Sequence, residues 1–274
     1  MGIYNLKKFF CGGIIMKLKE LDLYFTELLN IDAFAAQDLS QNGVQVQNSG
    51  KEIKKVAFAV DACLQSIKEA AERKADMLFV HHGLFWSRSL RIMGNHYHRI
   101  KALLDNDIVL YAVHLPLDAH PLYGNNIGLA RRLELENLKE FGMYRGLNIG
   151  FYGSLPLKEG SEEGLELDEI INKLFPQGEK PANILPFGPK KIKTIGIISG
   201  GAASEIDDAI ALGLDLYITG EIEHITYHNA LENRINVIAG GHYQTETVGV
   251  QLVAKKLELD TNLETCFIDI PTGF

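Results

Sequence analysis

Five side chains of types that bind divalent metal ions occur at short, repeated spacings in this sequence of 274 residues. Two adjacent histidines follow an apolar run, and two further segments each have a carboxylate four residues after a histidine. Imidazole nitrogen suits zinc, iron, nickel and cobalt, whereas carboxylate oxygens suit harder ions and can bridge two metals. The candidate metal ligands are His81, His82, Asp118, His242 and Glu246.

Each candidate also has an ordinary structural interpretation. Adjacent histidines after a strand are typical of a solvated turn, Asp118 could cap a turn before Pro121, and Glu246 suits the first turn of a helix. His114 begins the first of the two segments in which a carboxylate follows a histidine by four residues, as His242 begins the second. His114 is therefore either a weak ligand or a residue that orients Asp118. The joint placement of these residues at equivalent strand ends favours a metal site.

The elements that must position the ligands alternate between strands and helices. Helices are predicted at 18–29, 64–73 and 99–104, and strands at 56–60, 77–80 and 108–113. The last two strands end just before His81 and His114. Because ligand sites in open α/β sheets gather beyond the carboxyl ends of strands, this order places the candidate ligands where a site is expected.

The second half of the sequence repeats this plan. An offset of 139 carries the first strand to 195–199 and Asp76 to Asp215, and an offset of 128 carries His114 to His242. We therefore predict an α/β fold of two related domains from an internal duplication, with the metal site between them at strand carboxyl ends.

The predicted organisation has three parts. Residues 1–15 form an N-terminal extension, 16–135 the first α/β half and 136–274 the second, which includes a connecting segment at 136–190. Within that segment, 167–174 is predicted to be a helix.

Composition and charge limit the class of protein. A formal charge of -8 and a pI near 5.6 argue against binding to nucleic acid or to an anionic membrane. No apolar run approaches the ~20 residues of a membrane span. Cys11, Cys63 and Cys266 are too few and too far apart for a disulfide framework or a thiolate zinc site. We expect a cytoplasmic protein.

The remaining histidines and one glycine pair rank below the five ligands. His96 and His98 are expected to be exposed in a polar loop, and His224 and His228 to face a substrate or to support the ligands. Gly200 and Gly201 could open a helix that binds phosphate, but their spacing fits no known phosphate motif. Tight backbone packing is the expected role of this pair.

Several motifs resemble the dinuclear metal-centre hexameric proteins, which are also called GTP cyclohydrolase 1 type 2 homologues. The motifs are "QNGVQV", "VHHGLFW", "LYAVHLPLDAHPLYGNNIGLA", "AGGHYQTETVGV" and "TCFIDIP". The resemblance runs from about Met16 to Pro271 and implies the same ligands, His81, His82, Asp118, His242 and Glu246. It also implies a toroidal homohexamer and leaves His114 outside the first ring of ligands.

The resemblance further implies a function. The family label implies a metal-dependent hydrolase that opens the imidazole ring of GTP, with two divalent ions per subunit drawn from zinc, iron, manganese, nickel or cobalt. A nucleotide is then the expected substrate. The alternatives are a dinuclear hydrolase of another substrate and a non-enzymatic metal-binding or regulatory hub.

Overall fold

A computed structural model describes residues 15–156 and 164–274, so the predicted N-terminal extension lies outside the described residues except for Ile15. In these two stretches no helix combines the length and the apolar character that crossing a bilayer requires. The chain divides into two compact units. The first comprises the described residues up to His114 together with Val250–Ile270, and the second comprises Leu115–Gly249 with Pro271–Phe274.

The first unit is built on a five-stranded sheet with the strand order β1-β4-β3-β2-β11. Its strands are β1 (Gly43–Val46), β2 (Lys55–Asp61), β3 (Met77–His82), β4 (Val109–Ala112) and β11 (Glu264–Phe267). Its helices are α1 (Leu18–Leu29), a short 3₁₀ helix (Ile31–Phe34), α2 (Leu64–Glu72) and α3 (Gly94–Asp105). All neighbouring strands run parallel except β1, which pairs antiparallel with β4 at the edge.

Alternation along the parallel strands gives the first sheet two different apolar faces. On one face Phe58, Phe79 and Tyr111 stand side by side, and Phe25 of α1 packs on them at ring-centroid distances of 4.9 Å from Phe79 and 5.0 Å from Tyr111. The opposite face is made of smaller aliphatic side chains and is covered by α2 and α3. The strands β3 and β4 are therefore packed on both faces.

Helix α3 begins five residues before its predicted start. Consequently His96 and His98 lie in the first turns of a helix and not in a polar loop. The segment Gly-Asn-His-Tyr-His has weak helix propensity, so the sequence pattern gave no signal there. Burial of Ile100 and Leu103 anchors the helix, and His96 packs edge-on against Phe85 with ring centroids 5.3 Å apart.

The second unit is built on a six-stranded sheet with the strand order β5-β6-β8-β9-β10-β7. Its strands are β5 (Glu136–Tyr144), β6 (Leu147–Ser154), β7 (Asn183–Pro186), β8 (Thr194–Ile198), β9 (Leu216–Thr219) and β10 (Asn236–Ala239). The helices are α4 (Leu115–Ala119), α5 (Asn125–Arg132), α6 (Leu167–Leu174), α7 (Ile206–Ala211), α8 (His224–Asn233) and α9 (His242–Thr261). Helix α9 ends in residues that belong to the first unit.

The two sheets share a local plan. In each, three parallel strands are followed by an antiparallel strand at the edge, as β2-β3-β4 with β1 and β8-β9-β10 with β7. Asp76 Oδ2 accepts hydrogen bonds from the backbone N–H groups of residues 54 and 55, and Asp215 Oδ2 accepts them from residues 193 and 194. These contacts repeat at the predicted offset of 139, although the origin of the repeat in a duplication stays a prediction.

The third parallel strand of each sheet, β4 in the first and β10 in the second, is shifted by one residue from the predicted alignment of the two halves. Val113 donates its backbone N–H to Val80, and the corresponding bond in the second unit runs from Gly240 to Thr219. His114 therefore corresponds to Gly241 and not to His242. Likewise, the boundary between the compact units falls after His114, whereas the predicted halves meet at 135 and 136.

Candidate metal centre

Three histidines of the first unit come together at the carboxyl ends of two neighbouring strands. His81 and His82 are the last residues of β3, and His114 follows β4 by two residues. One potential ligand atom from each lies within 4.8 Å of the other two. Ring centroids are 4.6 Å apart for His81 and His82 and 5.1 Å apart for His81 and His114. The sequence left open whether His114 is a weak ligand or a supporting residue, and the structure places its ring beside those of His81 and His82.

Each of these imidazoles is held through its Nδ1 atom. His81 Nδ1 lies 2.9 Å from the Val113 carbonyl oxygen. Because that oxygen can only accept, Nδ1 carries the proton and the lone pair of the neutral ring is on Nε2. His82 Nδ1 lies 2.9 Å from Asp61 Oδ1, and His114 Nδ1 lies 2.8 Å from Asp38 Oδ1. A carbonyl or carboxylate behind the ring is the usual support of a metal-binding histidine.

Asp38, which carries no signal in the sequence, is the more buried of the two carboxylate supports, with 1% of its side chain exposed against 36% for Asp61. Burial by itself raises the pKa of Asp38, but hydrogen bonds from His114, Asn42 and Ser40 outweigh it and lower the pKa below 3.8. Asn42 also accepts the backbone N–H of His114 at 2.8 Å. Asp38 is therefore ionised at neutral pH and fixes His114 in one orientation.

The turn after His82 is held by Gln45 of the "QNGVQV" motif. Its Oε1 accepts the backbone N–H groups of Leu84 and Phe85 at 2.7 Å and 3.1 Å. A Cβ atom at Gly83 would overlap the Gln45 amide, so only glycine fits this close approach. The turn brings the Trp86 ring to 5.0 Å from the His114 ring, in an edge-to-face contact. The motif thus shapes the surroundings of the histidines.

The second unit groups the other three candidate residues around Glu246. Helix α9 begins at His242, so Glu246 lies one turn further on the same face, and His242 Nε2 is 3.2 Å from Glu246 Oε1. A carboxylate oxygen of Asp118 also lies within 4.8 Å of one of Glu246. Glu246 is 3% exposed and Asp118 6% exposed. Two buried carboxylates this close repel each other unless a positive charge lies near them.

Asp118 is oriented by two neutral donors. Asn125 Nδ2 and Ser199 Oγ donate to Asp118 Oδ1 at 2.9 Å and 3.0 Å. Asn125 is fully buried and accepts the backbone N–H of Gly249 at 2.8 Å through its other amide atom. Both donors reach Oδ1 and so hold the Asp118 carboxylate in one orientation.

His242 lies between two carboxylates, because its Nδ1 is 2.6 Å from Glu221 Oε1. Burial by itself lowers the pKa of His242, but hydrogen bonds with Glu246 and Glu221 and their negative charges outweigh it and raise the pKa to about 9. The same negative potential that favours a proton on Nε2 favours a divalent cation there. The donor set therefore fits a divalent metal ion.

This pKa predicts how the stability of the protein depends on pH when a chelator keeps it metal-free. The folded pKa of about 9 lies above the ordinary value of 6.5. The contribution of His242 to the free energy of unfolding is therefore fully present below about pH 6.5 and is lost as the pH rises through 9, by on the order of 3 kcal/mol. Denaturant unfolding between pH 6 and 10 measures it. The His242→Gln variant should lack this fall in the free energy of unfolding, and a wild-type curve that matches that of the variant would contradict the assignment.

Gly200 completes the packing around His242 and Glu246. It adopts a left-handed φ of +69°, and a Cβ atom there would overlap Glu246 Oε1 and lie 3.3 Å from His242 Nε2. Its N–H donates to Thr245 Oγ1 at 3.1 Å. No helix opens at Gly201, since α7 begins only at Ile206. Gly200 thus serves tight packing beside His242 and Glu246, whereas a Cβ atom at Gly201 would make only ordinary contacts.

His120, His224 and His228 lie outside these groups. His224 and His228 are exposed on α8 with their rings 6.2 Å apart. His120 accepts the backbone N–H groups of Leu122 and Tyr123 at Nδ1, so its lone pair points at the backbone and it has the opposite tautomer to His81.

Known proteins resemble the chain along almost its whole length. The GTP cyclohydrolase 1 type 2 homolog of Treponema pallidum (strain Nichols) is 51% identical over 94% of this chain and 100% of its own. A protein of the same name from Archaeoglobus fulgidus is 42% identical over the same shares. The crystal structure of TTHA1606 from Thermus thermophilus matches with a TM-score of 0.83 and 36% identity, over 94% of this chain and 100% of that one. These matches confirm the resemblance seen in the motifs and the α/β fold.

The sequence pattern of one family matches residues 16–273, and the chain therefore belongs to the Duf34/NIF3 (NGG1p interacting factor 3) family.

Proposed function

We propose that the chain binds two divalent metal ions through His81, His82, Asp118, His242 and Glu246 and uses them in a hydrolytic reaction. One observation carries the proposal. Each unit already gathers its share of the ligands in a form suited to metal, with anchored imidazoles in the first and two buried carboxylates beside His242 in the second. That the ligands of both units bind the same pair of ions is part of the proposal.

Charge and donor number favour catalysis over a purely structural role. Two carboxylates and three neutral imidazoles supply a charge of -2 against +4 for two divalent ions, which leaves positive charge to attract an anionic substrate. Five protein donors also leave coordination positions open on both ions, and open positions distinguish catalytic from structural sites. Bound divalent ions supply Lewis acidity, which polarises a substrate and lowers the pKa of water.

The name of the relatives suggests the substrate. We propose that GTP is hydrolysed at its imidazole ring: one water adds at C8 and the C8–N9 bond breaks to leave a formamide on N7, and a second water then cleaves the C8–N7 bond and releases C8 as formate. In this scheme Asp61 and Glu221 hold His82 and His242 in position through their Nδ1 atoms. Trp86, half-buried beside His114, offers an aromatic surface for a purine base.

Release of formate from GTP by metal-loaded protein tests this function. We expect formate with the wild-type chain, none above background with His81→Ala, and unchanged release with His98→Ala, since His98 lies outside the ligand groups. A wild-type protein that binds two ions but releases no product from a panel of nucleotides would contradict the GTP reaction. It would favour a non-enzymatic metal-binding role.

A further inference from the structure

An exposed loop, residues 87–93, follows Trp86 and carries Arg88 and Arg91. Neither guanidinium forms an ion pair or a side-chain hydrogen bond within the part of the chain that the structure describes. Lys101 of α3, by contrast, is paired with Asp105 at 2.6 Å. A guanidinium without an anionic neighbour is available to a ligand that brings a negative charge.

The sign of the charge reverses locally around this loop. The stretch between Asp76 and Asp105 contains no carboxylate side chain, and its cations, which give it a formal charge of +4, are Arg88, Arg91, Arg99 and Lys101. The whole chain has a formal charge of -8. A positive region on an acidic protein attracts anions to one place on its surface.

The loop begins and ends beside the histidines of the first unit. The Trp86 ring lies 5.0 Å from the His114 ring, and the Cα atom of Arg88 is at most ~7 Å from that of Trp86, because two residues span no more. The far end of the loop returns to the same place, since His96 in the first turn of α3 packs on Phe85 at 5.3 Å. Surface loops closed in this way frequently bind ligands.

We propose that Arg88 and Arg91 bind the phosphate groups of the substrate, so that the chain acts on a nucleoside phosphate and not on a free nucleoside or base. The inference deepens the proposed function and rests on it, because it places the end of the nucleotide away from the reacting ring. In this arrangement the purine lies against Trp86 and the phosphates extend to the loop.

Phosphate is the anion that the loop suits best. A guanidinium donates two parallel N–H groups to a phosphate, and two arginines match the several charges of a triphosphate. The hydroxyl groups of Ser87 and Ser89, on either side of Arg88 in the sequence, supply neutral donors for the same oxygens. Because the loop is exposed, salt screens these contacts, and binding of the phosphates should weaken as the ionic strength rises.

Equilibrium binding of GTP and of guanosine to zinc-loaded protein tests the proposal, because the two ligands differ only in the triphosphate. In the double variant Arg88→Gln, Arg91→Gln the affinity for GTP should fall about 10-fold. The affinity for guanosine and the metal content should stay at the wild-type values. Where formate release is measured, the KM for GTP should rise with the loss of affinity while kcat is kept.

The double variant Lys54→Gln, Lys68→Gln is the matched control. It removes the same charge from exposed positions of the first unit outside the loop, and it should bind GTP as the wild type does. The variant Arg88→Lys, Arg91→Lys keeps the charge but loses the planar fork, so it should recover part of the lost affinity.

Equal affinity for GTP in the arginine-to-glutamine variant and the lysine control would overturn the proposal. An equal fall in the affinities for GTP and guanosine would overturn it too, as would a wild type that binds no GTP. A wild type that binds GTP through the two arginines but releases no formate defeats the GTP reaction alone, which separates the two failures.

Discussion

Replacing Glu246 with glutamine is expected to weaken the binding of divalent metal more than about 100-fold. Loss of a residue that only supports a ligand typically weakens metal binding about 10–100-fold, and loss of a ligand itself should cost more. Glu246 is 3% exposed and lies close to both Asp118 and His242. Glutamine keeps the size of the side chain but removes its charge, and the amide group turns a donor toward the cation. Titration calorimetry with zinc, after removal of metal by a chelator, measures the loss.

Glu258→Gln is the matched control for this prediction. Glu258 lies on the same helix α9 but is exposed, and its partner is Thr265 in the first unit. We expect wild-type metal binding in this variant. If the two substitutions affect affinity equally, or if Glu246→Gln binds zinc as the wild type does, Glu246 is no ligand.

Replacing Gly200 with alanine should damage both the fold and the metal centre of the second unit. The residue needs a left-handed φ of +69°, which costs a residue with a Cβ atom roughly 1–2 kcal/mol. The added methyl group would also overlap Glu246 Oε1, and Glu246 is too buried to swing aside without disturbing His242. We expect metal affinity to fall about 10–100-fold and the free energy of unfolding to fall by at least ~1 kcal/mol.

The neighbouring residue provides the control. Gly201 lies outside the left-handed region, and a Cβ atom there would meet His242 Cε1 at 3.7 Å, an ordinary van der Waals distance. Denaturant unfolding and zinc titration of Gly201→Ala should give values close to those of the wild type. A Gly200→Ala variant as stable and as metal-competent as Gly201→Ala would show that this close packing does not matter.

The sequence predicted most of the fold because its elements carry clear periodic patterns. Helices α1 and α6 have the predicted bounds, and the predicted strands at 56–60 and 77–80 fall within β2 and β3. Helix α3 begins before its predicted start because packing, and not helix propensity, stabilises its first turns. His114 and His242 lie one residue apart when the two sheets are aligned by their hydrogen bonds. Composition did not reveal this shift, because apolar strands of similar composition do not specify their hydrogen-bond register.

The candidate ligands were predictable as residue types, but their supports were only partly so. Asp61 ends β2 beside His82 in the sheet, so a carboxylate at a neighbouring strand end was a usable signal. Asp38 gave none, since it lies in an irregular segment far from His114 in the sequence and reaches it only through tertiary structure. The homohexamer and the cytoplasmic location stay predictions.

Metal content after native purification tests the central claim most directly. We predict about two divalent ions per chain in the wild type. The double variant Asp118→Ala, Glu246→Ala should lose the ions that need these two carboxylates as ligands. Elemental analysis of both proteins, purified side by side without added metal or chelator, gives the numbers. Equal metal content in the double variant and the wild type, or no metal in the wild type, would contradict the account.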